Sequence, residues 1–267
     1  MAKYLLKDLE EIQKTVNGRK VSLFLDYDGT ITPMVGRPED ARLSSAMKEV
    51  LKGLARLYPL TIISSRALRD LKPVVGLPSI VYAGNQGLEV RGEQFTMTFD
   101  IGRDKKEELE GIAAALKGLL HGLRGVAIED KGLTLSVHYR PLDTKDFPFF
   151  AEKFDEVLAG PLSRSTVKVI RSKKAFDVRP DVGWDKGRAV EWILGRPGFS
   201  GTFPIYLGDD ESDREAFRVL KGKGCSVFVG GADEEADYYL MAQDEVKTFL
   251  GWLLHRPFSA EGLFSTP

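Results

Sequence analysis

Two carboxylates one residue apart, Asp26 and Asp28, followed by Gly29 and Thr30, end the apolar run Val21-Ser-Leu-Phe-Leu. Such a run, stopped by a turn signal, reads as a buried strand, and ligands of open α/β sheets gather beyond the carboxyl ends of strands. Side chains two apart in a strand share a face, but the turn at Gly29 lets Asp26 present its carboxylate while Asp28 offers its carbonyl to the same ion. In such a pair one carboxylate can attack while the other handles protons. Asp and Gly are also common turn residues, so this string alone fits a plain polar turn equally well. A second run, Phe203-Pro-Ile-Tyr-Leu-Gly208, ends the same way in Asp209-Asp-Glu-Ser-Asp213. Helix N-termini favour acidic residues, yet four carboxylates in five positions exceed what capping needs and predict a cation site.

Two further segments carry single candidates. Ser64 ends the run Leu60-Thr-Ile-Ile, and Lys186 leads a helical segment in Trp184-Asp-Lys-Gly-Arg188. Each has an ordinary alternative, Ser64 as a helix cap and Lys186 as a solvated surface lysine.

The elements that must position these groups alternate: strand 21–27, helix 41–57, strand 60–64, helix 66–72 and strand 79–83. This βαβ rhythm implies a parallel sheet. It resumes with a helix near 186, strand 203–208, helix 212–221, strand 225–229 and helix 244–255. Between the halves the texture changes. Leu133, Leu135, Val137 and Tyr139 alternate with Thr134, Ser136, His138 and Arg140, a period of two that marks a half-covered antiparallel sheet. Similar pieces lie at 95–99, 166–170 and 174–178, with helical stretches at 104–121 and 146–159. The expected fold is α/β: a Rossmann-like parallel-sheet core (1–87 and 179–267) with an inserted α+β cap domain (88–178). The polar face holding His138 and Arg140 either meets solvent or descends over the core; Glu89, Lys173 and Lys174 are weaker candidates. Asn85 and Gln86 line the hinge, and Trp184 and Trp192 pack.

Composition narrows the classes. With 38 basic against 39 acidic residues there is no field to steer nucleic acid, so an anionic ligand must be held by local groups. The opening MAKYLLKDLEEIQKT lacks the apolar centre of a signal peptide and reads as an amphipathic helix with Leu5, Leu9, Ile12 and Val16 on one stripe. No run approaches the ~18 apolar residues of a membrane span. The single cysteine, Cys225, supports neither a disulfide nor a thiolate metal site and reads as a strand residue. A cytoplasmic monomer is expected, with a loose tail over 259–267.

In the order aspartate pair, serine, inserted domain, lysine and acidic cluster, the chain resembles the haloacid dehalogenase superfamily of phosphatases. Within it, Leu25-Asp-Tyr-Asp-Gly-Thr30, Ala83-Gly-Asn-Gln-Gly-Leu-Glu89, Ser136-Val-His-Tyr-Arg140, Val178-Arg-Pro180, Gly183-Trp-Asp-Lys-Gly187 and Gly208-Asp-Asp-Glu-Ser-Asp213 resemble the trehalose-6-phosphate phosphatase family. The resemblance implies Asp26 as nucleophile, Asp28 as general acid and base, and Thr30, Ser64 and Lys186 on the phosphoryl oxygens; for Asp28 to start protonated near neutrality, neighbouring carboxylates must raise its pKa. It implies Mg2+ on Asp26, the Asp28 carbonyl and Asp209, with Asp213 as ligand or support. Glu89, His138 and Arg140 are expected on the sugar of a small sugar-phosphate substrate. Gln86, Ser65 and Asp177 stand where the family usually has His, Gly and Glu; the first and last are expected to face the substrate. The rival readings are a phosphatase for another glycosyl phosphate, such as glucosylglycerol phosphate or sucrose phosphate, and a phosphoaspartate receiver module.

Overall fold

A two-residue strand, β1 (Lys3–Tyr4), and a 3₁₀ turn precede α1 (Leu9–Val16), where one continuous helix was expected. The structure, a computed structural model, describes residues 2–36, 40–172 and 174–255; Lys173 and the tail over 259–267 lie outside the described residues. Lys3 and Tyr4 pair in parallel with Tyr238 and Tyr239, which removes them from the helix, while Glu10 and Glu11 favour a start at Leu9 through the helix dipole.

The βαβ order then holds: β2 (Val21–Asp26), α2 (Ser45–Leu57), β3 (Leu60–Ile63), α3 (Leu68–Val75) and β4 (Val81–Gly84). Ser44 starts α2 by accepting from the Met47 N–H, four residues later than the apolar pattern suggested. α3 continues through Pro73, burying Leu71 and Val75, and closes at Gly76, whose φ of 59° suits a residue without a Cβ.

Next come β5 (Glu89–Arg91), β6 (Thr96–Thr98), α4 (Arg103–Leu119), β7 (Ala127–Asp130), β8 (Leu135–His138), α5 (Phe147–Ser163), β9 (Val167–Ser172) and β10 (Ala175–Pro180). The chain finishes with α6 (Lys186–Leu194), β11 (Phe203–Gly208), α7 (Asp213–Leu220), β12 (Cys225–Val229), β13 (Tyr238–Leu240) and α8 (Gln243–His255). Cys225 is buried in its strand. Among the described residues, no helix is long and apolar enough to cross a membrane.

Among the described residues, the strands form a nine-stranded sheet, β1-β13-β12-β11-β2-β3-β4-β5-β6, and a four-stranded sheet, β7-β8-β10-β9. The large sheet is parallel from β1 through β4, and β5 and β6 extend it antiparallel. Residues 89–98 were expected in the cap; Val90 instead lies opposite Ala83 and packs in the same apolar layer. We therefore propose that the inserted domain runs from α4 through β10, 103–180, instead of 88–178.

Alternation splits the core into two layers. Leu23, Leu25, Ile205 and Leu207 pack with α1, α2, α3 and α8, whereas Phe24 and Tyr206 face α6 and α7. The cap has its own core, where Leu135, Val137 and Val178 meet Leu116, Phe150 and Leu158. Trp184 packs on Phe99 and donates to the Gly87 carbonyl; Trp192 packs on Phe95. Leu88 and Ile101 join the cap cluster from outside 103–180, and a cleft lies between the four-stranded sheet and the strand ends of the large one.

Candidate active site

Adjacent strands β3, β2 and β11 end side by side, bringing Ser64, Asp26 and Asp209 to one edge of the sheet. The first turns of α6 and α7 add Lys186 and Asp213. Asp185 starts α6 by accepting the Arg188 N–H at 2.8 Å, which leaves Lys186 at the first helical position facing the strand ends.

Lys186 Nζ lies 2.8 Å from Asp26 Oδ1 and 2.8 Å from Asp213 Oδ1, 1% exposed. It is a buried ion pair and not a surface lysine. Tyr206 donates its hydroxyl to Asp213 Oδ1 at 2.7 Å, and Asp213 Oδ2 accepts the N–H groups of Asp209 (2.9 Å) and Asp210 (3.1 Å). Burial pushes Asp26 well above the usual carboxylate range; Lys186 opposes this, while Asp213, Asp209 and Asp210 add to it. Burial works against charge on Lys186, but Asp213 and Asp26 outweigh it and hold the ammonium well above the ordinary lysine value. The centre is an arrangement of carboxylates in low dielectric with one shared ammonium.

Carboxylate oxygens of Asp26, Asp209 and Asp213 lie within 4.8 Å of one another. Hard oxygen donors in this number suit a hard divalent cation. Asp213 already accepts four hydrogen bonds, filling the lone-pair positions of a carboxylate, which suits it to a supporting role beside Asp26 and Asp209. Space at Asp209 depends on Gly29: a Cβ there would stand 2.2 Å from Asp209 Oδ2, and its φ is +93°.

Asp28 is held otherwise than the sequence suggested. Arg66 Nε and Nη2 donate to its two oxygens at 2.7 Å each, and the guanidinium also lies 5.2 Å over the Tyr27 ring. Its carboxylate therefore meets a cation, where neighbouring carboxylates were expected. Arg66 went unremarked in the sequence; the available signal was an arginine one turn past a strand end in a site crowded with acids.

Thr30 and Glu89 are both displaced from their expected roles. Thr30 is fully buried, donates to Asp209 Oδ1 at 3.2 Å and does not line the cleft. It orients an acid instead of meeting an anion. Glu89 accepts from Asn85 Nδ2 at 2.6 Å and the Leu68 N–H at 3.1 Å, also off the cleft wall. Gln86 is likewise buried away from the cleft, at a φ of 59°.

Asp26, Asp28, Ser64, Lys186 and Asp209 form the cleft floor, and cap residues Glu129, Lys131, Ser136, His138, Arg140 and Asp177 form its roof. The pairing register places Glu129, Ser136 and Asp177 in one row across β7, β8 and β10, so one polar face covers the core. His138 Nε2 is 2.9 Å from Glu129 Oε2. Lys131 donates to Ser136 Oγ at 2.5 Å and reaches the Ser65 carbonyl of the core at 2.9 Å, while Ser136 donates to Asp177. Lys131 and Glu129 went unnoticed in the sequence, because β7 is short and its lysine sits in a turn.

Residues 24–238 match the family model described as trehalose-phosphatase. A probable trehalose-phosphate phosphatase D of Arabidopsis thaliana is 32% identical over 257 residues, covering 90% of this chain and 69% of that protein. Among solved structures, the C-terminal domain of a C. albicans trehalose-6-phosphate phosphatase shares the fold with a TM-score of 0.81 at 24% identity, covering 96% of this chain and 98% of that one. A haloacid dehalogenase-like hydrolase from Bacteroides thetaiotaomicron has a TM-score of 0.62 at 18% identity, covering 88% and 99%.

Proposed function

Since the chain belongs to the trehalose-phosphatase family, we propose that it hydrolyses trehalose 6-phosphate to trehalose and phosphate through an aspartyl-phosphate on Asp26. The observation that carries this reading is the buried ammonium of Lys186 shared between Asp26 and Asp213 beside Asp209. A phosphate ester bears close to two negative charges near neutrality, so a carboxylate nucleophile needs cations around it.

Asp26 attacks phosphorus, forming the Asp26–phosphorus bond as the bond to the sugar oxygen breaks. To act as the acid, Asp28 gives up one arm of the Arg66 fork and carries on the released oxygen a proton, which it passes to that departing oxygen. It then takes a proton from the water that displaces Asp26 from phosphorus, so one difficult displacement becomes two easier ones. Lys186 and Ser64 hold phosphoryl oxygens, and positioning with charge stabilisation supplies most of the catalysis. Asp26, Asp209 and the Asp28 carbonyl would hold Mg2+, with Asp213 fixing Lys186 and the 209–210 backbone; when bound, the ion neutralises phosphoryl charge.

The Gly29 cradle tests the cation site without an activity assay. Adding MgCl2 is expected to raise the melting temperature of the wild type by mass action, whereas Gly29→Ala, strained by about 1–2 kcal/mol and pressing on Asp209, loses that increment. An equal shift in both proteins would reject Asp209 as a ligand.

The substrate is tested by phosphate release across trehalose 6-phosphate, sucrose 6-phosphate, glucosylglycerol phosphate and p-nitrophenyl phosphate. Trehalose 6-phosphate is expected to have the highest kcat/KM of the sugar phosphates. In the same assay Arg140→Ala should lower kcat/KM for trehalose 6-phosphate by about 10- to 100-fold, the worth of one hydrogen bond to a charged group, and leave the aryl phosphate nearly unchanged. Equal losses on both would remove Arg140 from the sugar. A receiver module needs no roof over its aspartate, and steady turnover of any small phosphate excludes it.

A further inference from the structure

We infer that Arg179 and Glu215 are positioning residues for Lys186, coupling the seat of the cap to the catalytic floor. The string Val178-Arg-Pro180 stands out in the sequence, yet Arg179 does not line the cleft. It leaves β10, the strand by which the chain exits the cap, and grips Glu215 of α7. Their side chains are 8% and 13% exposed. Nη1 donates to Glu215 Oε2 at 3.0 Å and Nη2 donates to Oε1.

The same Oε2 accepts the backbone N–H of Lys186 at 3.3 Å. That N–H belongs to the first turn of α6 and has no acceptor within its own helix, so Glu215 helps fix where the helix begins. The contact between α6 and α7 leaves no slack, since a Cβ on Gly187 would stand 2.4 Å from the Glu215 carbonyl oxygen. A guanidinium fork constrains a carboxylate in plane as well as distance. The orientation of Glu215, and with it the backbone that carries Lys186, therefore follows the position of β10. Stability alone is a poor reason for such a pair, because desolvation offsets much of the attraction between buried charges.

This inference rests on Lys186 acting at the phosphoryl group. Two variants test it: Arg179→Lys keeps the charge but loses the fork, and Glu215→Gln keeps the size and an acceptor but loses the charge. Each is assayed for kcat and KM on p-nitrophenyl phosphate and trehalose 6-phosphate, with thermal melting to confirm folding. In whichever variant folds, kcat should fall about tenfold on both substrates with KM within about twofold, because small misplacements of a catalytic group act on the transition state. The aryl phosphate makes no use of sugar contacts, so its loss cannot come from the cap face. An unchanged kcat on the aryl phosphate in a folded variant overturns the inference, as does a loss confined to trehalose 6-phosphate, which would assign the pair to cap closure alone. A wild type inactive on both phosphates would reject the reading of the site itself.

Discussion

Asp26→Asn is expected to fold as the wild type does and to lose at least about 10⁴-fold in kcat, the scale on which removal of an attacking group is felt. An amide is a poor nucleophile and a weaker donor to a hard cation than a carboxylate. The fold tolerates the change because burial already disfavours charge on Asp26, and Lys186 keeps Asp213 as its counter-ion at 2.8 Å. Phosphate release gives the rate, and the denaturant midpoint reports folding. Turnover near the wild-type level would reject Asp26 as nucleophile, whatever happens to stability.

Lys186→Met should fail in both respects. The ammonium is the shared partner of two buried carboxylates, and removing one member of a buried ionic group costs about 3–5 kcal/mol. Loss of a cation poised on the phosphoryl group should also lower kcat/KM by about 10²- to 10³-fold. Adding Asp26→Asn to Lys186→Met is expected to restore part of the lost stability, since one of the two stranded charges disappears; such non-additivity marks residues in one network. Urea midpoints of the single and double variants measure it. Strict additivity would mean that Lys186 and Asp26 do not share their burial cost, contrary to the 2.8 Å contact between them.

What was legible in the sequence is local. Asp26, Ser64 and Asp209 each end an apolar run, and a strand followed at once by a turn is written in consecutive residues. The parallel core and the α+β insertion follow from periodicity for the same reason. Strands without a period escaped: β1 is two residues long and β13 three; β1 exists because β13 lies beside it, and β13 because β12 does. The edge strands β5 and β6 were assigned to the cap because antiparallel texture is the same in either sheet; only the partner of Val90 distinguishes them.

The site divides along the same line. Its residue types were readable, because attack and proton handling require carboxylates and phosphate requires cations. Their partners were not. Arg66 meets Asp28 across 38 residues, Lys131 meets Ser65 across 66 and Lys186 meets Asp26 across 160. Thr30 looked like an anion donor and turned out to bond Asp209, 179 residues away, because a hydroxyl serves either purpose and only burial selects between them. The chain by itself determined which groups stand at the strand ends; folding decided which charges are buried together, since a carboxylate's partner depends on what the sheet order and the seat of the cap bring within 3 Å of it.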